Sequence, residues 1–188
     1  GYFCAGLTDG PRFKVDNNVG WGLADNMLQG SVVVQGNAGA IAGVAIRGAE
    51  VIIHGNMGSR AGQVMKEGIL LCAGNANFMA GYMMYGGRIV IIGNSGERVG
   101  EDMTGGSIYV GGKVQDLGSD AEFTDLPADE LDDITAILDR YKLTAPKSFQ
   151  KIINAGKRLR YATSEQQIRS IPYFTFSGKS NYWNEKVQ

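Results

Sequence analysis

The chain has 188 residues, of which 28 are glycine, and its formal net charge is −1. This length suffices for one domain with a substantial core, and a charge so close to zero gives no electrostatic reason to expect nucleic acid or an anionic membrane as a partner. Two cysteines without a Cys-x-x-Cys spacing argue against a disulfide framework or a zinc site, and with no run of about 18 apolar residues they favour a cytoplasmic protein.

Residues 1–29 look like a degraded copy of the repeat that follows them. Met27 is in register with later methionines, and Asn17 and Asn18 lie about one period before Asn37. A terminal unit that departs from consensus is expected where a stack of repeats ends. We therefore predict an atypical N-terminal cap coil. The chain starts at Gly1 with no signal-peptide pattern, and a removed N-terminal segment is left open.

Residues 30–118 repeat every 19 residues without insertion. The glycine of each unit falls at Gly36, Gly55, Gly74, Gly93 and Gly112. Asparagine follows it at Asn37, Asn56, Asn75 and Asn94. This period predicts a solenoid of stacked parallel strands, with the Gly-Asn pairs at left-handed corners and the asparagine side chains hydrogen-bonded along a ladder. A ligand-binding asparagine row is the weaker alternative, and a dinucleotide fingerprint is disfavoured because each unit leads into another strand.

Alternation along each strand predicts which side chains face the interior. Two aliphatic columns are predicted to point inward, together with a column of small residues and a column rich in methionine. The aliphatic columns are Val32, Val51, Leu70, Ile89, Ile108 and Val34, Ile53, Cys72, Ile91, Val110. The other two are Ala42, Ala61, Ala80, Val99 and Ile46, Met65, Met84, Met103.

One apolar column lies between the inward columns and should face outward. We call it the outer stripe, and it consists of Val33, Ile52, Leu71, Val90 and Tyr109. A long exposed apolar stripe usually marks an interface, so these five residues are the candidate interface. Coverage by the chain's own C-terminal helix is an equally weighted alternative. Phe78, Met79, Tyr82 and Met83 are further outward candidates.

The repeat ends after Gly118, and the composition changes. We divide the chain into a β-helix over residues 1–122 and an extension over residues 123–188. Apolar spacing after Pro127 predicts one helix, and a second is predicted over about residues 146–159, with Phe149, Ile152 and Ile153 on its apolar side. The aromatic end of the chain, IPYFTFSGKSNYW, is predicted to dock on the solenoid or on a partner.

No nucleophile with an adjacent base is evident in the sequence. His54 precedes a corner glycine, Cys72 lies in an inward column, and the carboxylates of residues 129–133 suit the first turn of a helix. We therefore assign no catalytic, cofactor-binding or metal-binding residue to this chain.

The repeat unit xGNxGxxxGxxMxxGxIxI, as in the segment from Gly74 to Ile91, resembles the GXGXG domain. That domain ends the large subunit of glutamate synthase. It also occurs as free-standing subunits of related complexes and within formylmethanofuran dehydrogenase. The resemblance covers about residues 20–118 and implies a right-handed parallel β-helix.

The resemblance also implies a function. In glutamate synthase the domain is a non-catalytic spacer between an amidotransferase domain and an FMN-bearing synthase domain. The chain is therefore expected to be a scaffold subunit of a hetero-oligomeric glutamate synthase or N-methylglutamate synthase, which joins methylamine to glutamate. FMN, with an iron–sulfur cluster as an option, would lie on a partner subunit. The alternative is a formylmethanofuran dehydrogenase scaffold. An independent enzyme on the solenoid surface is a third, weaker hypothesis, because it would need paired carboxylates on one outer face.

Overall fold

A computed structural model describes residues 1–156, which form one compact unit. Six parallel strands, each one coil after the last, are β1 Arg12–Val15, β2 Ser31–Val34, β3 Arg47–Ile53, β4 Glu67–Cys72, β5 Arg88–Ile91 and β6 Ser107–Val110. The pairing register confirms the period, since Val32 lies opposite Val51 and Val51 lies opposite Leu70. Stacked coils of this kind make the predicted parallel β-helix.

The N-terminal segment continues the same stack. Strand β1 pairs in parallel with β2, and Val19 bridges to Ala38 at the next corner. Met27 is fully buried in register with the later methionines. The coil carries more large exposed apolar side chains than its successors, among them Tyr2 and Trp21. Residues 1–29 are therefore built as solenoid, as the register of Met27 and Asn18 predicts.

All four predicted inward columns are confirmed. Every one of their side chains has no exposed surface. Burial of aliphatic area at roughly 25 cal/mol per Å² drives this arrangement, and the methionines fill the irregular space between coils because their side chains are flexible.

Helix α1, Ala128–Arg140, lies on the outside of the solenoid. Its first turn reaches Tyr109 on β6 through Glu130, its second turn reaches Arg88 on β5 through Asp133, and its last residue reaches Glu50 on β3. The helix therefore runs along the stack of strands. This is geometrically favourable, because a helical turn advances by about 5.4 Å and neighbouring strands are about 4.8 Å apart.

The predicted second helix is wrong within the described residues. Residues Gln150–Asn154 form strand β8, which pairs antiparallel with β6 on one side and with β7, Ala121–Thr124, on the other. The spacing of Phe149, Ile152 and Ile153 fits a helix, but the last parallel strand leaves an open row of backbone groups, and β8 satisfies them by pairing with it. Ile152 is fully buried against the end of the core as a result.

The part of the chain that the structure describes contains no helix long and apolar enough to cross a membrane. The predicted aromatic docking tail lies outside the described residues.

Candidate interaction surface

The ladder asparagines, Asn18, Asn37, Asn56, Asn75 and Asn94, join each coil to the next. The side-chain Oδ1 of each accepts a hydrogen bond from the backbone N–H of the residue 19 positions later, at 2.7–2.8 Å. The predicted ladder therefore exists, but its main partner is the backbone. Within residues 1–156 a bond between two ladder side chains joins only Asn37 Nδ2 and Asn18 Oδ1, at 3.2 Å. Each asparagine satisfies an amide that the corner would otherwise leave unpaired.

The ladder glycines, Gly36, Gly55, Gly74, Gly93 and Gly112, are not left-handed, which corrects the predicted corner geometry. They are needed because the coils approach too closely for a side chain. A Cβ on Gly74 would lie 2.7 Å from the carbonyl oxygen of Gly55 and would also collide with Asn56 Oδ1. The glycine and the asparagine of successive coils thus form one contact.

Left-handed conformations occur instead in the segment that leads from each ladder corner to the next strand. In the coil of residues 58–66, the residues with positive φ are Arg60, Gly62 and Val64, at 57°, 70° and 48°. The same alternation recurs one coil later at Met79, Gly81 and Met83. Bulky and β-branched residues at positive φ are unusual, because Cβ then crowds the following carbonyl.

The outer stripe is covered by the chain itself, so it is not an exposed interface. Ile52, Leu71 and Val90 have no exposed surface, and Tyr109 is 2% exposed. They pack with Ile134, Ile137 and Leu138 of helix α1 in a second core, to which the partly buried Val33 adds its contact at the edge. Of the two explanations that the sequence leaves open, the structure supports the helix.

Polar contacts hold helix α1 in place at both ends. At its first turn, Glu130 accepts hydrogen bonds from Lys151 Nζ at 2.8 Å and from the Tyr109 hydroxyl at 2.9 Å. These bonds, the one from Lys151 foremost, lower the pKa of Glu130, whereas burial raises the pKa of Tyr109 to about 12. These hydrogen bonds therefore attach the start of the helix to the last coils.

At the other end, Glu50 accepts a bond from Arg140 Nη1 at 3.0 Å and another from the Tyr141 hydroxyl. Burial, and then the bond to Glu50, raise the pKa of Tyr141 to about 12. Because Glu50 belongs to β3, the contact fixes the end of the helix over the third strand.

The turn face, which we define as the outward side of residues 39–47, 58–66 and 77–85, remains uncovered within the described residues. It carries partly exposed apolar side chains and half-exposed Tyr85. The partly exposed ones are Ile41, Val44, Val64, Phe78, Tyr82 and Met83. Of the four further outward candidates named from the sequence, only Met79 is buried, at 8% exposure.

Cys72 and His54, the other residues considered for a chemical role, lie in surroundings that a structural role explains. Cys72 is fully buried, its thiol donates to the Gly55 carbonyl at 3.2 Å, and burial raises its pKa to about 12, so the reactive thiolate is disfavoured. His54 is partly buried before a ladder glycine. Within residues 1–156 no group of three or more His, Cys, Asp or Glu side chains is arranged to hold a metal ion.

Comparison with models of known protein families finds no match. Comparison with curated protein sequences finds none either. The family resemblance therefore rests on the repeat unit alone, and the fold that this resemblance implies is present.

The contacts made by Glu50, Glu130 and Lys151 are not evident from the sequence. Glu50 is the acidic member of a strand position that is otherwise occupied by Arg12, Ser31, Ile69, Arg88 and Ser107. Such a departure within a column is a signal, but its partner Arg140 is 90 residues away and becomes visible only once the helix is placed.

Proposed function

We propose that this chain is a non-catalytic scaffold subunit of a cytoplasmic, FMN-dependent complex of the glutamate synthase type. It would pack between an amidotransferase-like subunit and an FMN-bearing synthase subunit. Glutamate synthase and N-methylglutamate synthase are the two activities considered for the assembly. FMN, and an iron–sulfur cluster where one is used, would belong to the partners.

The observation that carries this proposal is the construction of the coil. Each Gly-Asn pair uses the glycine to admit the neighbouring coil and the asparagine to bond it, as at Gly74 and Asn75. The repeat unit that encodes this contact is the one that resembles the GXGXG domain. Its interior is filled with aliphatic side chains, which suits a rigid spacer whose working surface is its outside.

The test is purification of the native assembly followed by mass spectrometry of the chains that accompany this one. The expected result is an amidotransferase-like chain and a flavoprotein chain, with flavin absorbance bands in the complex and none in this chain alone. Molybdenum or tungsten in the assembly, found by elemental analysis, would favour the formylmethanofuran dehydrogenase alternative instead.

Catalysis distinguishes the scaffold from an independent enzyme. The isolated chain is expected to show no glutaminase or synthase activity, whereas the reassembled complex should show both. Recovery of the native protein as a lone monomer without accompanying chains would contradict the proposal.

A further inference from the structure

The turn face places apolar side chains at backbone positions that are left-handed in every coil between residues 20 and 104. The scaffold accepts small residues at the left-handed positions, as Gly22 and Ala45 show. At the equivalent positions, Ile41, Val64 and Met83 nevertheless adopt φ between 48° and 55°. Non-glycine residues in this conformation are strained relative to glycine, so the side chains are retained at an energetic disadvantage.

These side chains are not explained by the solenoid core. Ile41, Val64 and Met83 remain partly exposed, and Tyr85 beside them is 50% exposed. The outer stripe, by contrast, is covered by helix α1 and is almost fully buried. Within the described residues nothing comparable covers the turn face, and an exposed apolar surface of this kind is typical of a site on which another chain packs.

The charge on this face indicates what that molecule carries. Arg47, Arg60 and Lys66 are exposed, and none of them forms an ion pair with a residue in the range 1–156. Arg60 instead lies over the ring of Tyr82, 5.8 Å from its centroid. Cations that border an apolar patch are matched by carboxylates on a partner. A second copy of this chain would bring the same cations together, which disfavours self-association through this face.

We infer that the turn face is the docking surface for a partner subunit whose contact area is apolar at its centre and bears carboxylates opposite Arg47, Arg60 and Lys66. The inference rests on the proposed function, since it assumes that the chain belongs to a complex. It adds which side of the solenoid is occupied and the chemistry of the occupant. Tyr82 and Tyr85 supply the large aromatic contacts that usually dominate such interfaces.

Two single substitutions in the full chain test the surface, each with a matched control. Lys66→Glu reverses a cation on the turn face, and Lys113→Glu reverses another exposed cation, at the ladder corner. Tyr85→Ser removes a half-exposed ring from the turn face, and Phe123→Ser removes a half-exposed ring from β7. Thermal midpoints measured first show that the variants are folded.

Binding is then measured against each purified subunit of the native complex, in low and high salt. Lys66→Glu is expected to weaken binding about tenfold in low salt and much less in high salt, because screening weakens exposed charge pairs. Tyr85→Ser is expected to weaken binding about tenfold in both. For the subunit that docks on the turn face, the two controls should bind within about twofold of the unchanged chain, since they lie outside the proposed surface.

Zero-length cross-linking of the complex gives an independent result. Lys66 is expected to link to an aspartate or glutamate of a partner subunit. Links from Lys66 to residues 157–188 of its own chain, or to a second copy, would overturn the inference. If the complex forms but all four variants bind alike, the docking surface is wrong while the scaffold function stands. If no subunit accompanies the chain, the scaffold function itself fails.

Discussion

The strand side and the turn side of each coil differ in the backbone conformation of their glycines and in what covers their apolar residues. On the strand side, which includes the ladder corner, Gly74 provides space for the neighbouring coil. On the turn side, Gly62 has a left-handed φ of 70°, and a Cβ there would also collide with Ile89 Cδ1 of the core. The apolar residues also differ between the two sides. Helix α1 covers those on the outer face of the strands, whereas within the described residues nothing covers those of the turn face.

Gly74→Val should have the largest effect on stability. The new side chain would overlap the Gly55 carbonyl and Asn56 Oδ1 in a rigid stack, so the free energy of unfolding is expected to fall by about 3 kcal/mol. Urea unfolding followed by far-ultraviolet circular dichroism measures this change. Gly93→Val, which meets the equivalent atoms of Gly74 and Asn75, should match it. Two variants as stable as the unchanged chain would show that the coils do not need this contact.

Leu138→Ala should have the next largest effect. Leu138 is fully buried between helix α1 and the outer stripe, so its truncation leaves a cavity and should cost about 2.5 kcal/mol. The matched variant is Leu131→Ala on the same helix, where the side chain is 38% exposed, and it should cost less than about 1 kcal/mol. Equal costs would mean that the helix does not cover the strand face.

Asn56→Ala tests the contribution of the ladder. It removes the acceptor of the Asn75 amide and should cost about 1 kcal/mol. Asn77→Ala is the control, because Asn77 lies near the same corner but its Oδ1 bonds the adjacent Phe78 amide rather than another coil. Hydrogen exchange of the Asn75 amide gives the site-resolved measurement, and it should accelerate only in the first variant.

The hydrogen bonds that Glu130 accepts at the start of helix α1 predict that the stability of the fold depends on pH. The folded-state pKa of Glu130 is lowered, first by its bond from Lys151 and also by that from Tyr109. Its stabilising contribution is therefore present above the unfolded-state pKa of about 4.3 and is lost as the pH falls through the lower folded-state value. Lys151→Met should reduce the loss of thermal stability between about pH 6 and about pH 3. If thermal stability falls with pH as much in the variant as in the unchanged chain, the bond from Lys151 to Glu130 contributes little.

Val64→Gly should have the smallest effect. Relief of the left-handed strain at Val64 offsets the lost contacts and the added entropy of glycine, so the net change is expected to stay within about 1 kcal/mol. Val90→Gly on the strand side removes a fully buried side chain without relieving such strain, and it should cost about 3 kcal/mol. Similar losses in both variants would remove the distinction between the two sides.

The repeat predicts the fold well because each coil makes the same contacts as the next. A misjudged residue such as Gly36 does not disturb the register, which every other column supports. The sequence is less informative about the corner, where glycine serves two purposes that look alike in sequence. Whether a glycine is needed for its positive φ or for lack of room depends on the backbone conformation and on the neighbouring atoms, and both are known only from the structure.

The extension is harder to predict than the solenoid. The apolar spacing of Phe149, Ile152 and Ile153 fits a helix and a buried strand equally well, since the run is short. The open edge of β6 decides between them, because pairing with β8 satisfies the last row of backbone groups. That edge exists only after the solenoid has formed, so no local pattern contains it.

Local periodicity was enough to establish the 19-residue coil, the inward columns and the approximate position of the first helix. Which apolar outer residues are covered, in contrast, depends on contacts between distant parts of the chain. Helix α1 covers the outer stripe through the apolar contacts of Ile134, Ile137 and Leu138. The bonds from Arg140 to Glu50 on β3 and from Lys151 on β8 to Glu130 then join its two ends to distant parts of the chain. Side chains that share an outward direction in sequence thus acquire different surroundings, and within the described residues this difference leaves the turn face uncovered.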